Sequence, residues 1–211
     1  MKWESLVLSV GNEPVFTSGL LLAGDASPQQ VRLQLGRWVK AGRLLQLRRG
    51  VYALASPWSK VEPHPFVIAN AMQRGSYVSL QSALSYHGVI PEHVPVVTSV
   101  GPGRPETLRN PLGTFRFNHV ATDMLFGYRR TEVAGSQFAF VAGSEKALLD
   151  LVHLTPGADK RAYLEEIRLQ NLDSMDSELL RELADRSGKP KLKRAARNAA
   201  ALLAANEGEL L

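Results

Sequence analysis

The sequence PQQVRLQLGRWVKAGRLLQLRRGVYAL, residues 28–54, decides the fold of the N-terminal part of the chain. Its first half repeats apolar residues at helical spacing, which predicts a helix over about 28–41 with one buried face. The residues of that face are Val31, Leu35, Trp38 and Val39. Ser27 is the expected N-cap, and Gly42 ends the helix.

The second half of this stretch changes from helical periodicity to the pattern of two short strands. Arg48-Arg49-Gly50 is the expected turn between them. Upstream, KWESLVLSV (residues 2–10) and GLLLAG (residues 19–24) predict two further short helices. Helix, helix, turn, helix and β-hairpin within about 55 residues is the order of a winged helix-turn-helix domain.

The remainder of the chain predicts a second domain with mixed structure. SPWSKVEPHP (residues 56–65) has the Pro and Ser content of a linker, so we expect domains at 1–58 and 59–211. The second domain has expected helices at 66–73, 80–87 and 144–153, strands at 94–100, 113–120 and 137–142, and a helical tail from about 159. Ser144 is the expected N-cap of the helix at 144–153. The predicted fold class is α+β: an N-terminal winged helix-turn-helix followed by a mixed α/β domain with a helical C-terminal tail.

The positive charge of the chain is concentrated at its N-terminal end. The net charge is +5. Residues 1–60 hold eight Lys or Arg and three acids, whereas residues 61–211 hold 17 of each sign. A localised positive excess is typical of proteins that bind a polyanion.

The helix predicted at 28–41 has the composition of a DNA recognition helix. Its outward face carries Gln, Arg and Lys but no acid, and such side chains match base edges and phosphates in the major groove. Arg48 and Arg49 would form a basic wing tip that reaches the minor groove or the backbone. The candidate DNA-binding residues are Ser27, Gln29, Gln30, Arg32, Arg37, Lys40, Arg43, Arg48 and Arg49. Leu33 also faces outward, where it would touch a thymine methyl group or pack on the second domain.

A second basic segment, KPKLKRAAR (residues 189–197), opens the last predicted helix. It has five bases and no acid: Lys189, Lys191, Lys193, Arg194 and Arg197. Three interpretations stay open at this point: a second nucleic-acid contact, a docking face for an acidic partner, or an ordinary solvated helix face.

Other classes of protein find little support in the sequence. The absence of cysteine excludes disulfides, thiolate nucleophiles and Cys-ligated metal centres. The five histidines lack metal-ligand spacing, and no catalytic motif is present, so we expect neither a metal, a cofactor nor an enzymatic activity. No stretch approaches the length of a membrane helix, and the first residues lack the features of a signal peptide. We therefore expect a cytoplasmic protein.

Three segments together resemble the AbiEi antitoxin family of type IV toxin–antitoxin systems. They are GRLLQLRRGVYAL (42–54), SYVSLQSALSYHGVIPEHVPVVTSV (76–100) and FAFVAGSEKALLDLVHL (138–154), and the similarity spans roughly residues 15–155. The resemblance implies an N-terminal winged helix that binds inverted repeats of double-stranded DNA in its own promoter and represses the operon. It also implies a C-terminal domain that counters a nucleotidyltransferase-like toxin, with or without direct contact.

Two alternatives to a DNA-binding antitoxin are open at the level of sequence. The winged helix would instead dock on a protein such as the toxin, with DNA binding incidental. An enzyme acting on nucleic acid would need a convergent acid–base or metal site, and no such site can be assembled from the residues.

Overall fold

The computed structural model describes residues 2–22, 27–92, 94–171 and 174–209, with side chains up to residue 203. The described residues form an α+β fold, which confirms the predicted class at that level. The α-helices are α1 (Trp3–Val10), α2 (Pro28–Lys40), α3 (Pro65–Met72), α4 (Leu80–Tyr86), α5 (Ser144–Leu154), α6 (Arg161–Glu166), α7 (Ser177–Arg186) and α8 (Pro190–Glu209). The strands are β1 (Phe16–Thr17), β2 (Leu44–Arg48), β3 (Val51–Leu54), β4 (Tyr77–Val78), β5 (Val96–Gly101), β6 (Glu106–Asn110), β7 (Gly113–His119), β8 (Tyr128–Ala134) and β9 (Gln137–Ala142).

The N-terminal part packs two helices against a small antiparallel sheet. The strand order is β1-β3-β2, so β3 lies in the middle. Helices α1 and α2 cover this sheet because each has an apolar stripe that must leave water. Their shared cluster of buried side chains is Leu6, Val10, Phe16, Val31, Leu35, Trp38, Leu44, Tyr52 and Leu54.

The larger part of the chain is built on a six-stranded mixed sheet with the order β6-β7-β5-β4-β9-β8. The pairs β5–β7 and β4–β9 are parallel, and the other neighbours are antiparallel. Helix α3 contacts β9, α4 contacts β5, and α5 contacts α4, α7 and α8. The main core therefore lies between the sheet and the helices that pack on it.

The hairpin β2–β3 joins the two parts of the molecule. Leu47, Val51 and Ala53 belong to the main core rather than to the N-terminal cluster. Asn110 on β6 also donates from Nδ2 to the carbonyl oxygen of Leu47 at 3.3 Å. The predicted domain boundary at residue 58 stays a prediction, and the hairpin before it is shared between both cores.

Several predicted elements need correction. The helix expected at 19–24 is a 3-10 turn over Ser18–Leu22, because so short a segment gains too few hydrogen bonds to nucleate an α-helix, and Gly24 lies outside the described residues. Ser144 is the first residue of α5, and Gly143 occupies the N-cap position. Four strands were not predicted: β1, β4, β6 and β8. In the described part of the chain, no helix has the length and apolar character needed to cross a bilayer.

Candidate nucleic-acid interface

Helix α2 is fixed to its domain by one narrow apolar stripe. Val31, Leu35 and Trp38 are buried one helical turn apart, and Leu35 is fully inaccessible to solvent. Trp38 meets the ring of Trp3 edge to face, with centroids 5.2 Å apart. Val39, also expected on the buried face, is half-buried and packs against the same cluster. The stripe holds the helix in one rotational setting, so the opposite side of α2 faces solvent as a unit.

The exposed face of α2 carries the five polar candidates expected from the sequence. Gln29, Gln30, Arg32, Arg37 and Lys40 are all exposed. The helix has no acidic residue, and within the described residues its three bases form no ion pair and no side-chain hydrogen bond. Their donors are therefore free to meet an anionic ligand.

Two apolar positions lie within this exposed face. Leu33 is 59% exposed and is not among the described apolar residues that pack against the main core, which argues against packing on the second domain. Gly36 is exposed as well, and a Cβ added there would meet nothing within 4 Å. Gly36 was not predicted from the sequence as a site residue. A glycine inside a helix lowers stability by about 0.5–1 kcal/mol relative to alanine, so its presence there is itself a sign of a specific role. Without a side chain, the helix surface at this position is open to close approach.

Ser27 occupies the N-cap position of α2, as expected, but its hydroxyl makes no capping hydrogen bond. Its carbonyl oxygen accepts the first helical bond, from the amide of Val31 at 3.0 Å. Among the described residues, neither the hydroxyl nor the first amides of α2 have a hydrogen-bond partner, an arrangement that suits a phosphate at a helix N-terminus. Residues 23–26, which precede this end, lie outside the described residues.

Arg43 is not an outward-facing base. It is half-buried, and its guanidinium carbon lies 5.3 Å from the ring centroid of Trp3 and 5.9 Å from that of Trp58. Stacking on two indoles stabilises the end of the N-terminal cluster by cation–π attraction. The predicted phosphate contact by Arg43 would require a side chain that already has a packing role.

The turn of the hairpin consists of Arg49 and Gly50. Gly50 has a φ of +81°, a conformation that glycine adopts without strain. Its carbonyl oxygen accepts from the amide of Ser18 at 2.9 Å, which ties the turn to the chain before α2. Arg49 is exposed and has no ion pair among the described residues, so it is the free base of the turn.

Arg48 differs from the prediction, because it ends β2 and is tied to the larger part of the molecule. Its Nη1 donates to the carbonyl oxygen of Met72 at 2.7 Å and lies 2.9 Å from Glu106 Oε1. Gln73 Nε2 also donates to this carboxylate oxygen, at 3.2 Å. The side chain therefore joins the hairpin to β6 rather than standing free at a wing tip.

The bases of the second basic segment are largely engaged within the molecule. Lys191 Nζ donates to the carbonyl oxygen of Thr155 at 2.6 Å. Lys193 pairs with Asp185 and Arg194 with Asp159, each at 2.9 Å. Among the described residues, Lys189 and Arg197 have no ion pair. These contacts fasten α8 to α7 and to the chain after α5, and a role of the segment in binding a nucleic acid or an acidic partner stays a prediction.

A charged cluster lies buried where α5 meets the sheet. Lys146 and Asp150 form a salt bridge and are 1% and 0% exposed, and the carboxylate also accepts from Tyr77 Oη at 3.0 Å and Ser79 Oγ at 2.8 Å. Burial raises the pKa of the Tyr77 hydroxyl, and the adjacent Asp150 carboxylate raises that pKa further. A substrate has no path to groups so fully enclosed, so the cluster acts as an anchor between β4 and α5.

The histidines are dispersed over the fold. Burial lowers the pKa of both His64 and His153, which favours their neutral form. Nδ1 of His64 accepts from the amide of Phe66 at the start of α3. His93 lies outside the described residues, and within the described ranges no three metal-ligating side chains come together.

Taken together, α2 and the hairpin turn expose four bases without an ion-pair partner among the described residues: Arg32, Arg37, Lys40 and Arg49. No protein-family model matches the chain, and no curated protein matches it.

Proposed function

We propose that this protein is a DNA-binding regulator whose N-terminal part is a winged helix-turn-helix domain. Helix α2 would enter the major groove, and the turn at Arg49 would contact the neighbouring backbone or minor groove. The observation that carries the proposal is the exposed face of α2, which has three free bases, two glutamines and no acid. Such a face attracts phosphates and offers donors to base edges.

The side chains of this face would have different tasks. Gln29 and Gln30 stand in the first turn of α2, where a bidentate contact to adenine is available to a glutamine. Arg37 and Lys40 lie in the last turn and would set the register through phosphates. Gly36 would allow the groove wall to approach the helix.

We further propose that the protein belongs with the AbiEi-type antitoxins that its sequence resembles. It would then repress its own operon through inverted repeats and counter a nucleotidyltransferase-like toxin. The larger part of the chain would carry this second role.

Binding to DNA from the upstream region of the gene tests the proposal. We expect a gel shift with this DNA that weakens strongly as salt rises. Arg49→Ala should weaken binding to all sequences, whereas Gln30→Ala should relax the preference at one or two base pairs by about 1–3 kcal/mol. Arg181→Ala on α7 is a matched control, since this arginine is exposed and forms no ion pair among the described residues.

A protein partner for the same surface is the second candidate. Leu20 and Leu22 in the 3-10 turn and Leu33 on α2 are exposed leucines, and the turn contacts α2. Exposed apolar side chains on neighbouring elements favour a protein–protein interface. Co-purification with a toxin encoded next to the gene, abolished by Leu33→Asp and accompanied by no gel shift, would favour this candidate over DNA binding.

A further inference from the structure

Strand β8 forms one edge of the six-stranded sheet and is unusually exposed. It pairs only with β9, and at the described residues no other strand covers its outer side. Five of its seven residues are exposed, and the other two are half-buried. An open edge presents unpaired amides and carbonyls that another strand can take up.

Contacts on β9 show which residues of β8 direct their backbone amide and carbonyl groups to the open edge. The amide of Phe140 donates to Asn70 Oδ1 at 2.6 Å, so it points away from β8. Arg130 lies opposite Phe140 in the register and therefore belongs to a pair without mutual backbone bonds. Its own amide and carbonyl consequently point to the open edge. The two-residue period gives Glu132, opposite Phe138, the same orientation.

The charges on this edge are complementary to themselves. Arg130 and Glu132 stand two residues apart, on the same face of the sheet. If two copies of β8 pair antiparallel around Thr131, each Arg130 lies directly opposite the Glu132 of the other copy. Registers that align Arg130 with itself, or Glu132 with itself, put like charges together and are disfavoured. A symmetric contact in this register therefore forms two Arg130–Glu132 pairs, one on each side of the two-fold axis.

Both side chains are free to make these pairs. The guanidinium carbon of Arg130 lies over the ring of Phe138, 3.5 Å from the centroid. Such a contact uses the face of the guanidinium and leaves its in-plane N–H groups available. Glu132 uses Oε1 to accept from the amide of Ser136 at 2.9 Å, and its second oxygen has no hydrogen bond among the described residues. Tyr86 Oη donates to the carbonyl oxygen of Glu132 at 3.5 Å. This oxygen has a second lone pair, which can accept from the amide of a neighbouring strand.

We propose that β8 pairs with β8 of a second copy of this chain, in an antiparallel register centred on Thr131, to form a symmetric dimer with one continuous sheet. The bulge between Glu132 and Ala134 confines the regular ladder to a short segment, so the dimer is weak and depends on concentration. Phe138 and Phe140, 38% and 46% exposed, extend the same face with apolar surface. The pairing requires no DNA and stands independently of the proposed function.

Charge reversal in the full-length chain tests both the dimer and its register. The mass in solution is measured over a wide dilution series by light scattering or sedimentation equilibrium, with 23.1 kDa as the monomer. Arg130→Glu and Glu132→Arg should each raise the dimer dissociation constant by about tenfold or more, because two favourable pairs become two like-charge pairs. The double variant should restore the dimer. An equal mixture of the two single variants should also associate, since every glutamate then meets an arginine.

Arg129→Glu is the matched control, because it makes the same charge change one residue away on the opposite face of the strand. It should leave the dimer in place, and circular dichroism should show that every variant is folded. A wild-type chain that stays monomeric at the highest attainable concentration overturns the proposal. If neither single charge reversal changes the dimer dissociation constant, or if the double variant stays monomeric, the proposed register is wrong and β8 is not the dimer interface.

Discussion

The salt dependence of DNA binding is the sharpest quantitative consequence of the α2 surface. Arg32, Arg37, Lys40 and Arg49 are exposed bases without an ion pair among the described residues. If each neutralises one phosphate, the logarithm of the binding constant should fall with the logarithm of salt concentration with a slope of about −3.6. Between about 50 and about 200 mM salt, this slope predicts a loss of affinity of about 150-fold.

Removing two of these bases should change the slope by a defined amount. Arg37→Ala with Lys40→Ala should flatten it by about 1.8, because each lost phosphate contact removes about 0.9. Fluorescence anisotropy with a labelled upstream fragment, repeated at several salt concentrations, measures the slope directly. Arg181→Ala should leave the slope unchanged. A double variant whose slope equals that of the wild type would refute the placement of phosphates along the last turn of α2, even if its affinity were lower.

Three further predictions concern the exposed face of α2, its buried face and the buried ion pair of α5. Gly36→Ala should stabilise the free protein by about 0.5–1 kcal/mol, because the site has room for a methyl group. The same substitution should lower DNA affinity, and an unchanged affinity would argue against close approach of DNA at this position. Leu35→Ala should lower the free energy of unfolding by about 2–5 kcal/mol, whereas Leu33→Ala on the exposed side should change it by less than about 0.5 kcal/mol; similar losses in urea titrations would contradict the assigned faces. Lys146→Met should cost about 3–5 kcal/mol at neutral pH, because it leaves a buried carboxylate unpaired. Burial raises the pKa of the Asp150 carboxyl and Lys146 opposes this shift, so loss of Lys146 should raise that pKa further. The cost should therefore shrink as pH falls through the raised pKa and the carboxyl becomes neutral. A cost that is equal at acidic and neutral pH, or that Asp150→Asn does not relieve, would count against the ion pair.

Helix α2 was predictable because its evidence is local. The period of Val31, Leu35 and Trp38 fixes both the helix and its buried face, and the outward residues follow from the same period. The same reasoning located β9, whose buried and exposed residues alternate over most of its length. Helix α5 was also predicted, although every residue from Ser144 to Val152 is buried and no exposed face marks it.

The strands that were missed lack such a pattern. Strand β4 has only two residues, both buried, so no alternation is visible. Strand β8 has no buried residue, so no face of it stands out in the sequence, although its pairing with β9 is extensive. Their strand conformation comes from the neighbouring strands, which are distant in sequence.

The candidate site was predictable on α2 and less so at the hairpin. Arg48 and Arg49 are indistinguishable in sequence, yet one bonds to Glu106 and the other faces solvent. The difference depends on the position of β6, more than fifty residues away, which no local pattern reveals. The same holds for Lys146 and Asp150, whose spacing predicts a pair but gives no indication of its complete burial.

The shared hairpin has a consequence for dissecting the protein into fragments. A fragment that stops after residue 58 would keep β3 but discard the residues against which Leu47, Val51 and Ala53 pack. The isolated fragment would expose these side chains to water as an apolar patch that favours self-association, and Arg48 would lose its ion pair with Glu106. Its tendency to aggregate would then result from the truncation, and a failure of that piece to bind DNA would say nothing about the recognition helix.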